Sequence, residues 1–227
     1  MFHWLEQRPF FFAVFVFVFV AFAGIIEIIP DFAKQSRPVV GTKPYSVLEL
    51  TGRHVYIQDS CNACHSQLIR PFKSETDRYG MYSLSGEYAY DRPFLWGSKR
   101  TGPDLMRVGN YRTTDWHENH MLDPQSVVPG SIMPAYKHMF TNIADIETAY
   151  AEAYTVKTVF ATPYDQDIDG DGEIDVPLGT LEEAKASALK EAQAIAADMK
   201  NQAVKDAVAN GQVPEIVALI AYLNSLK

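Results

Sequence analysis

The two cysteines of this 227-residue chain lie in one short motif, Cys61-Asn62-Ala63-Cys64-His65. C-x-x-C-H is the sequence to which a c-type haem is attached, each thiol bonding to one vinyl group of the porphyrin. The adjoining histidine then supplies an axial nitrogen to the iron. The same cysteines would suit a redox dithiol or half of a zinc site, but a zinc site needs two more soft ligands and a dithiol usually lies in a thioredoxin-like unit. We therefore predict one covalent haem c on Cys61 and Cys64, with His65 as an iron ligand.

A second axial ligand must come from a segment further along the chain. The candidates are Met81, Met106, Met121, Met133, Met139 and Met199, with His117, His120 and His138 as nitrogen alternatives. Met133 is the best of them, because it lies in an irregular Pro- and Gly-containing stretch and Pro134 disfavours helical dihedrals at the residue before it. Ligation by histidine and methionine leaves no open iron position, which suits electron transfer. We also expect a carbonyl at or near Pro103 to accept the other imidazole N–H of His65.

An acidic stretch at 165–175 is a second candidate metal site. From residue 167 it follows D-x-D-x-D-G-x-I-D, the first nine positions of a calcium loop. The ligands would be Asp167, Asp169, Asp171, Glu173 and Asp175. Position twelve is Leu178, where a bidentate Glu is expected, so an acidic turn without an ion stays open as the alternative.

The amino-terminal region contains a long apolar run. From Phe10 to Ile29 only Glu27 is charged, and 20 helical residues at about 1.5 Å each span roughly 30 Å, the thickness of a bilayer core. The alternative is a cleaved signal peptide, since Ala21-Phe22-Ala23 resembles a cleavage site. The run continues beyond Ala23, which favours a retained anchor.

Charge bears on partners and on orientation. The formal net charge of −8 argues against a nucleic-acid partner. Lys34, Arg37 and Lys43 after the anchor outnumber Arg8 before it, which alone would place the carboxyl side in the cytoplasm. Attachment of haem c takes place on the outer side of an energy-conserving membrane, so we expect the opposite orientation.

The hydropathy pattern and the positions of turn residues divide the chain into five segments. They are a transmembrane anchor (1–30), a tether (31–44), the haem c core (45–140), a variable segment with the acidic loop and an Ala-rich helix (141–212), and a carboxyl-terminal helix that completes the domain (213–227). Residues 45–60 predict a helix leading into the haem motif. Ile216, Leu219, Ile220, Leu223 and Leu226 recur at helical spacing on one face of the last segment. Thr180-Leu181-Glu182-Glu183 is a capping-box sequence that begins the Ala-rich helix.

Several of these motifs together make the chain resemble the monohaem subunit II of cbb3-type cytochrome c oxidases. They are C-H-S-Q-L-I-R-P-F at 64–72, R-Y-G at 78–80, S-G-E at 85–87, the run 90–105, D-W-H at 115–117 and M-P-A-Y at 133–136. The resemblance implies a mainly α fold: one transmembrane helix, then a class I-like cytochrome c domain with a carboxyl-terminal helical extension. It also implies covalent haem on Cys61 and Cys64, and axial ligation by His65 and Met133.

The role implied by the resemblance is that of a redox relay and not of an enzyme. The chain would pass electrons to the haem–copper catalytic subunit, from a dihaem cytochrome c subunit, as a single-pass protein of the bacterial inner membrane with its domain in the periplasm. The alternatives are the cytochrome c subunit of nitric oxide reductase, a free membrane-tethered carrier, and a haem sensor. A calcium-binding module is the weakest alternative, because it leaves the haem motif unexplained.

Overall fold

A computed structural model describes residues 2–33 and 38–227, and in these residues the chain is helical. The α-helices are α1 (Phe2–Glu6), α2 (Pro9–Ala33), α3 (Val47–Gln58), α4 (Lys73–Tyr79), α5 (Thr114–Leu122), α6 (Pro124–Val127), α7 (Ile146–Phe160), α8 (Leu181–Asp198), α9 (Gln202–Ala209) and α10 (Glu215–Ser225). The described residues form no strand, only an isolated antiparallel bridge between Ile143 and Pro214. The prediction of a mainly α fold is confirmed.

Helix α2 stands apart from the rest of the protein. Its stretch Pro9–Ile29 has a mean hydropathy of 2.8, and none of it is buried against other elements. The helix runs without a break past Ala23 to Ala33, and its length and composition fit a single-pass membrane anchor. The predicted tether is described only in part, since Lys34 and Arg37 lie outside the described residues.

The centre of the domain is the crossing of α3 and α10. A Cβ at Gly52 would lie 1.9 Å from the Ala218 carbonyl oxygen, so only glycine allows the two backbones to approach this closely. The side chains around the crossing are fully buried and include Leu48, Tyr56, Ile216, Leu219, Ile220 and Tyr222. Burial of each such aliphatic side chain contributes about 1.5–3 kcal/mol. The crossing therefore fixes where the end of α3, and the haem motif after it, lies.

Helices α7 and α8 of the 141–212 segment pack against α3. Helix α8 faces inward with Ala184, Ala188, Ala192 and Ala196, all buried. Small side chains at a spacing of four residues let α8 approach its neighbours closely. Capping boxes begin both α3, at Ser46 and Glu49, and α8, at Thr180 and Glu183. The 141–212 segment thus contributes to the same core as the haem motif.

The glutamate of the α3 capping box is partly buried, whereas that of the α8 capping box is exposed. This difference leads to a prediction about how stability depends on pH. Burial raises the pKa of Glu49 from 4.5 to about 7, with Glu191 adding to the effect. Between pH 4.5 and about 7, Glu49 is therefore protonated in the folded state and ionised in the unfolded state. The free energy of unfolding falls as the pH rises through this range. We expect Glu49→Gln to keep the capping bond and to raise the free energy of unfolding by about 2 kcal/mol near pH 8, measured by thermal unfolding in detergent across pH.

Glu183→Gln is the matched control for this prediction. Hydrogen bonds from the Thr180 backbone and hydroxyl lower the pKa of the exposed Glu183 carboxyl, so removing its charge should slightly reduce stability at neutral pH. Equal pH profiles for the two variants would contradict the assignment of the pH dependence to Glu49.

Candidate functional site: the haem-binding region

The C-x-x-C-H motif follows α3 directly and forms a single 3₁₀ turn, Cys61–Ala63. Ser60 enters the turn with φ of 56°, in the left-handed region, so the chain reverses sharply at the end of the helix. Cys61 is buried in the main core and Cys64 is exposed. Burial raises the pKa of the Cys61 thiol to about 12. A redox dithiol needs a thiol with a lowered pKa, so this environment disfavours that alternative.

A single hydrogen bond orients the ring of His65. Its Nδ1 lies 2.8 Å from the Pro103 carbonyl oxygen, which can only accept. Nδ1 is therefore the protonated nitrogen, and Nε2 keeps its lone pair for a metal. Burial lowers the pKa of His65, which favours this neutral, metal-binding form. The structure thus contains the predicted bond to the carbonyl of Pro103.

Gly102 makes room for the same ring. A Cβ at this position would lie 2.2 Å from Cε1 of His65. The backbone also ties the two segments together, because the Gly102 N–H donates to the Cys64 carbonyl at 2.9 Å. The loop around Gly102 and Pro103 therefore covers one edge of the imidazole and fixes its direction.

A cluster of charged groups, the buried Glu75 and Asp104 with the partly buried Arg100, holds this loop in place. One Asp104 oxygen accepts from the Ser66 hydroxyl at 2.6 Å and from the Leu68 N–H at 2.8 Å. Arg100 donates to the Ser66 hydroxyl at 2.7 Å and to Glu75 at 2.8 Å. The hydrogen bond from Arg100 lowers the pKa of Glu75 to about 2. We call these three residues the loop clamp, because they join the residues after His65 to those after Pro103.

The segment around Met133 returns to the haem motif. Met133 is partly buried and packs against the core cluster that contains Cys61. Its segment is fixed to α5 by the Tyr136 N–H, which donates to the Met121 carbonyl at 2.8 Å. Burial raises the pKa of Tyr136 to about 12, with smaller effects of Cys61 and Cys64. The structure therefore brings the Met133 segment and the two cysteines together, while axial ligation by Met133 stays a prediction.

The other candidate ligands lie in different environments. Met81 is exposed and Met106 belongs to a separate small cluster, whereas Met121, Met139 and Met199 are packed within the main core. His138 pairs with Asp59 at 3.1 Å. His117 and His120 are buried on α5.

The acidic loop brings together three of the five predicted calcium ligands. Carboxylate oxygens of Asp167, Asp169 and Asp175 lie within 4.8 Å of one another. Asp171 instead accepts from the Glu173 N–H at 2.8 Å. The ammonium of Lys43 bonds to both Asp169 and Asp175.

The remaining part of the calcium pattern departs from a regular loop. The anchor position, Ile174, is 55% exposed, and Leu178 at position twelve is buried. The binding of calcium here stays a prediction.

The donor atoms of this region fit a haem. It offers two thiols at the attachment spacing, a neutral imidazole with one free nitrogen, and a methionine segment beside the cysteines. The family described as "Cytochrome C oxidase, mono-heme subunit/FixO" has a sequence model that matches residues 2–227. The chain belongs to this family. No curated protein matches the chain.

Membership of the FixO family establishes a monohaem subunit of a cytochrome c oxidase complex. It confirms the resemblance given by the motifs between 64 and 136, and it extends the match over the 141–212 segment, for which those motifs gave no information. The family also implies a haem and other oxidase subunits as partners.

The loop clamp was missed from the sequence. Arg100 reads there as a surface cation, because nothing in its spacing from Glu75 or Asp104 indicates a buried pair. The contact of Gly102 with the His65 ring exists only in the folded chain. An isolated Gly52 inside a helical pattern is the one available signal of close backbone approach.

The loop clamp leads to a stability prediction. Glu75→Gln removes the nearer of the two counter-charges of Arg100 and leaves Asp104 at 3.5 Å, and the loss of a charge-assisted hydrogen bond in this mostly buried cluster costs about 2 kcal/mol. The native Glu75 contribution is present above pH 4.5 and is lost as the pH falls towards about 2. Thermal unfolding near pH 7 should show the loss, whereas Asp77→Asn, in the exposed Lys73–Asp77 pair, should change stability by less than about 0.5 kcal/mol. Equal effects would contradict the clamp.

Calcium binding leads to a second prediction. Calorimetric titration of the purified protein with Ca²⁺ should show one site, and Asp167→Asn should abolish it because Asp167 supplies one of the three clustered oxygens. Lys43→Gln should strengthen binding by removing a competing cation. The exposed Asp206→Asn is the control, and a parent protein that binds no Ca²⁺ would refute the prediction.

Proposed function

We propose that Cys61 and Cys64 attach one haem c covalently and that His65 and Met133 are its axial ligands. The support is the neutral His65 ring, fixed by the Pro103 carbonyl with Nε2 free, in a chain whose family is monohaem. When bound, haem supplies a one-electron couple. The protein's own residues orient the axial nitrogen, surround the thiol of Cys61 with apolar groups, and hold the methionine segment against the core. None of these tasks requires a proton to move, so the site suits electron transfer.

The role proposed for the chain is that of an electron relay. Electrons would enter from a dihaem cytochrome c subunit and leave to the membrane-embedded haem–copper subunit, where oxygen is reduced. If His65 and Met133 both hold the iron, it would have no position for substrate. Catalysis would then belong to the complex and not to this chain.

The proposed location follows from the anchor and the haem together. Residues 1–30 would cross the bacterial inner membrane once, residues 31–44 would form the tether, and the haem domain would lie in the periplasm. Within that domain, 45–140 and 213–227 would form the cytochrome, with 141–212 packed on its side. The support is the isolated apolar α2 and the shared core of α3, α8 and α10.

Two alternative functions make different chemical predictions. A nitric oxide reductase subunit would copurify with non-haem iron, and an oxidase subunit with copper. A free tethered carrier would be stable and monodisperse without partners. The family match favours the oxidase.

Purification through a tag after Lys227, from membranes in mild detergent, tests the proposal. We expect copper, b-type haem, a dihaem cytochrome and cyanide-sensitive oxygen uptake in the eluate.

Cys61→Ser and Cys64→Ser should abolish haem that survives denaturing electrophoresis, and Met133→Leu should keep attached haem but lose the sulfur-to-iron charge-transfer band. Ser60→Ala is the control for the substitution of a small residue beside the motif. A lone haem protein without copper would refute the relay to a haem–copper subunit.

A further inference from the structure

Helix α3 contains an arginine that is almost completely buried. Arg53 is 1% exposed and lies eight residues before Cys61. Burial of a guanidinium costs free energy, because its hydration is lost and is only partly replaced. An apolar side chain at such a core position often gives a protein of equal or greater stability. The burial of Arg53 therefore indicates a role in geometry and not in stability.

The hydrogen bonds of Arg53 define this geometric role. Its Nη1 donates to the Arg92 carbonyl at 3.0 Å, and its Nη2 donates to the carbonyl of the next residue, Pro93. The planar guanidinium thus holds two consecutive carbonyls in one arrangement, which a lysine ammonium does less rigidly. Burial raises the pKa of the preceding Asp91, and the charge of Arg53 opposes this shift. Arg53 therefore fixes the start of residues 92–97, which we call the covering loop.

The other end of the covering loop lies on the haem motif. The Trp96 carbonyl accepts from the Gln67 N–H at 2.8 Å. A Cβ at Gly97 would lie 3.1 Å from the carbonyl oxygens of both Asn62 and His65. The loop backbone is therefore in direct contact with the C-x-x-C-H turn, and it touches the chain before, at and after the proposed iron ligand.

We infer that Arg53 is a positioning residue of the haem site, because it holds the covering loop against the C-x-x-C-H turn. The inference rests on the proposed attachment of haem to that turn. The loop fixes the backbone of His65, in addition to the bond that Pro103 makes to its ring, and it keeps water from the turn. Axial ligation and burial both set the potential of a haem. A displaced loop admits water, which stabilises the more highly charged ferric state and lowers the potential.

The test uses the full chain, purified in detergent with its haem. Arg53→Met keeps a long apolar stem but removes both donors. We expect about tenfold faster amide hydrogen exchange in a peptide that contains Gln67. We also expect about a tenfold smaller equilibrium constant for reduction, which is a midpoint potential lower by about 59 mV for one electron. Arg53→Lys keeps the charge and a donor, and it should restore part of both changes.

Gly97→Val separates the position of the loop from the charge of Arg53. It changes no charge, and a β-branched residue with φ of 66° and two carbonyl oxygens 3.1 Å from its Cβ must displace the loop. Gly97 is exposed, so this variant should fold even if Arg53→Met does not. It should speed the exchange of the Gln67 amide and lower the potential, as Arg53→Met does.

Asn201→Ala is the control for a loss of stability alone, because it removes the side-chain cap that begins α9 and also changes no charge. It should change neither readout. Unchanged exchange and potential in Gly97→Val would overturn the inference, and so would a lower potential in Arg53→Met alone, which the lost charge by itself explains. Absence of covalent haem in the parent chain would instead refute the proposed function, whereas the exchange measurement on the same protein would still decide whether Arg53 holds the loop.

Discussion

The hydrogen bond between the Nδ1–H of His65 and the Pro103 carbonyl is the contact on which the site depends. It selects the tautomer, fixes the ring plane, and leaves Nε2 as the only nitrogen that can bind a metal. A backbone carbonyl can do this only if its loop is held rigidly. The loop clamp provides that rigidity with charge-assisted hydrogen bonds in a buried setting, where they are stronger than on the surface.

The clamp also explains why charged residues lie inside this domain. Glu75, Arg100 and Asp104 are mutually satisfied, and each also bonds to backbone or hydroxyl groups of the segment after His65. Such a cluster adds little net stability, since desolvation offsets much of the attraction. Its effect is geometric: it holds the segment after His65 against the segment after Pro103, beside the apolar cluster of Ile69, Tyr88 and Met106. For the proposed electron relay, the position of the proposed iron ligand His65 matters more than the last increment of stability.

The packing of the helices positions the C-x-x-C-H motif within the domain. The α3–α10 crossing, made close by Gly52, places the end of α3 in the core and brings Cys61 with it. The Ala face of α8 and the short α5 then close the same core from other sides. The anchor α2 shares none of this packing. The protein therefore consists of a membrane segment and a packed haem domain that are built by separate interactions.

The sequence alone determined the family and the class of fold, and it predicted the haem-attachment chemistry. The C-x-x-C-H spacing, the apolar run from Phe10 to Ile29 and the family motifs are local, so they can be read without knowing which segments meet. Helix patterns at α3, α8 and α10 were predictable for the same reason, as was the Pro103 carbonyl, from its motif. Tertiary structure decided the rest: the charges of the loop clamp, the close approach at Gly52, and the burial of His117. These features depend on contacts between segments far apart in the chain, and burial, which alone gives a charge or an imidazole its significance there, exists only once the chain has folded.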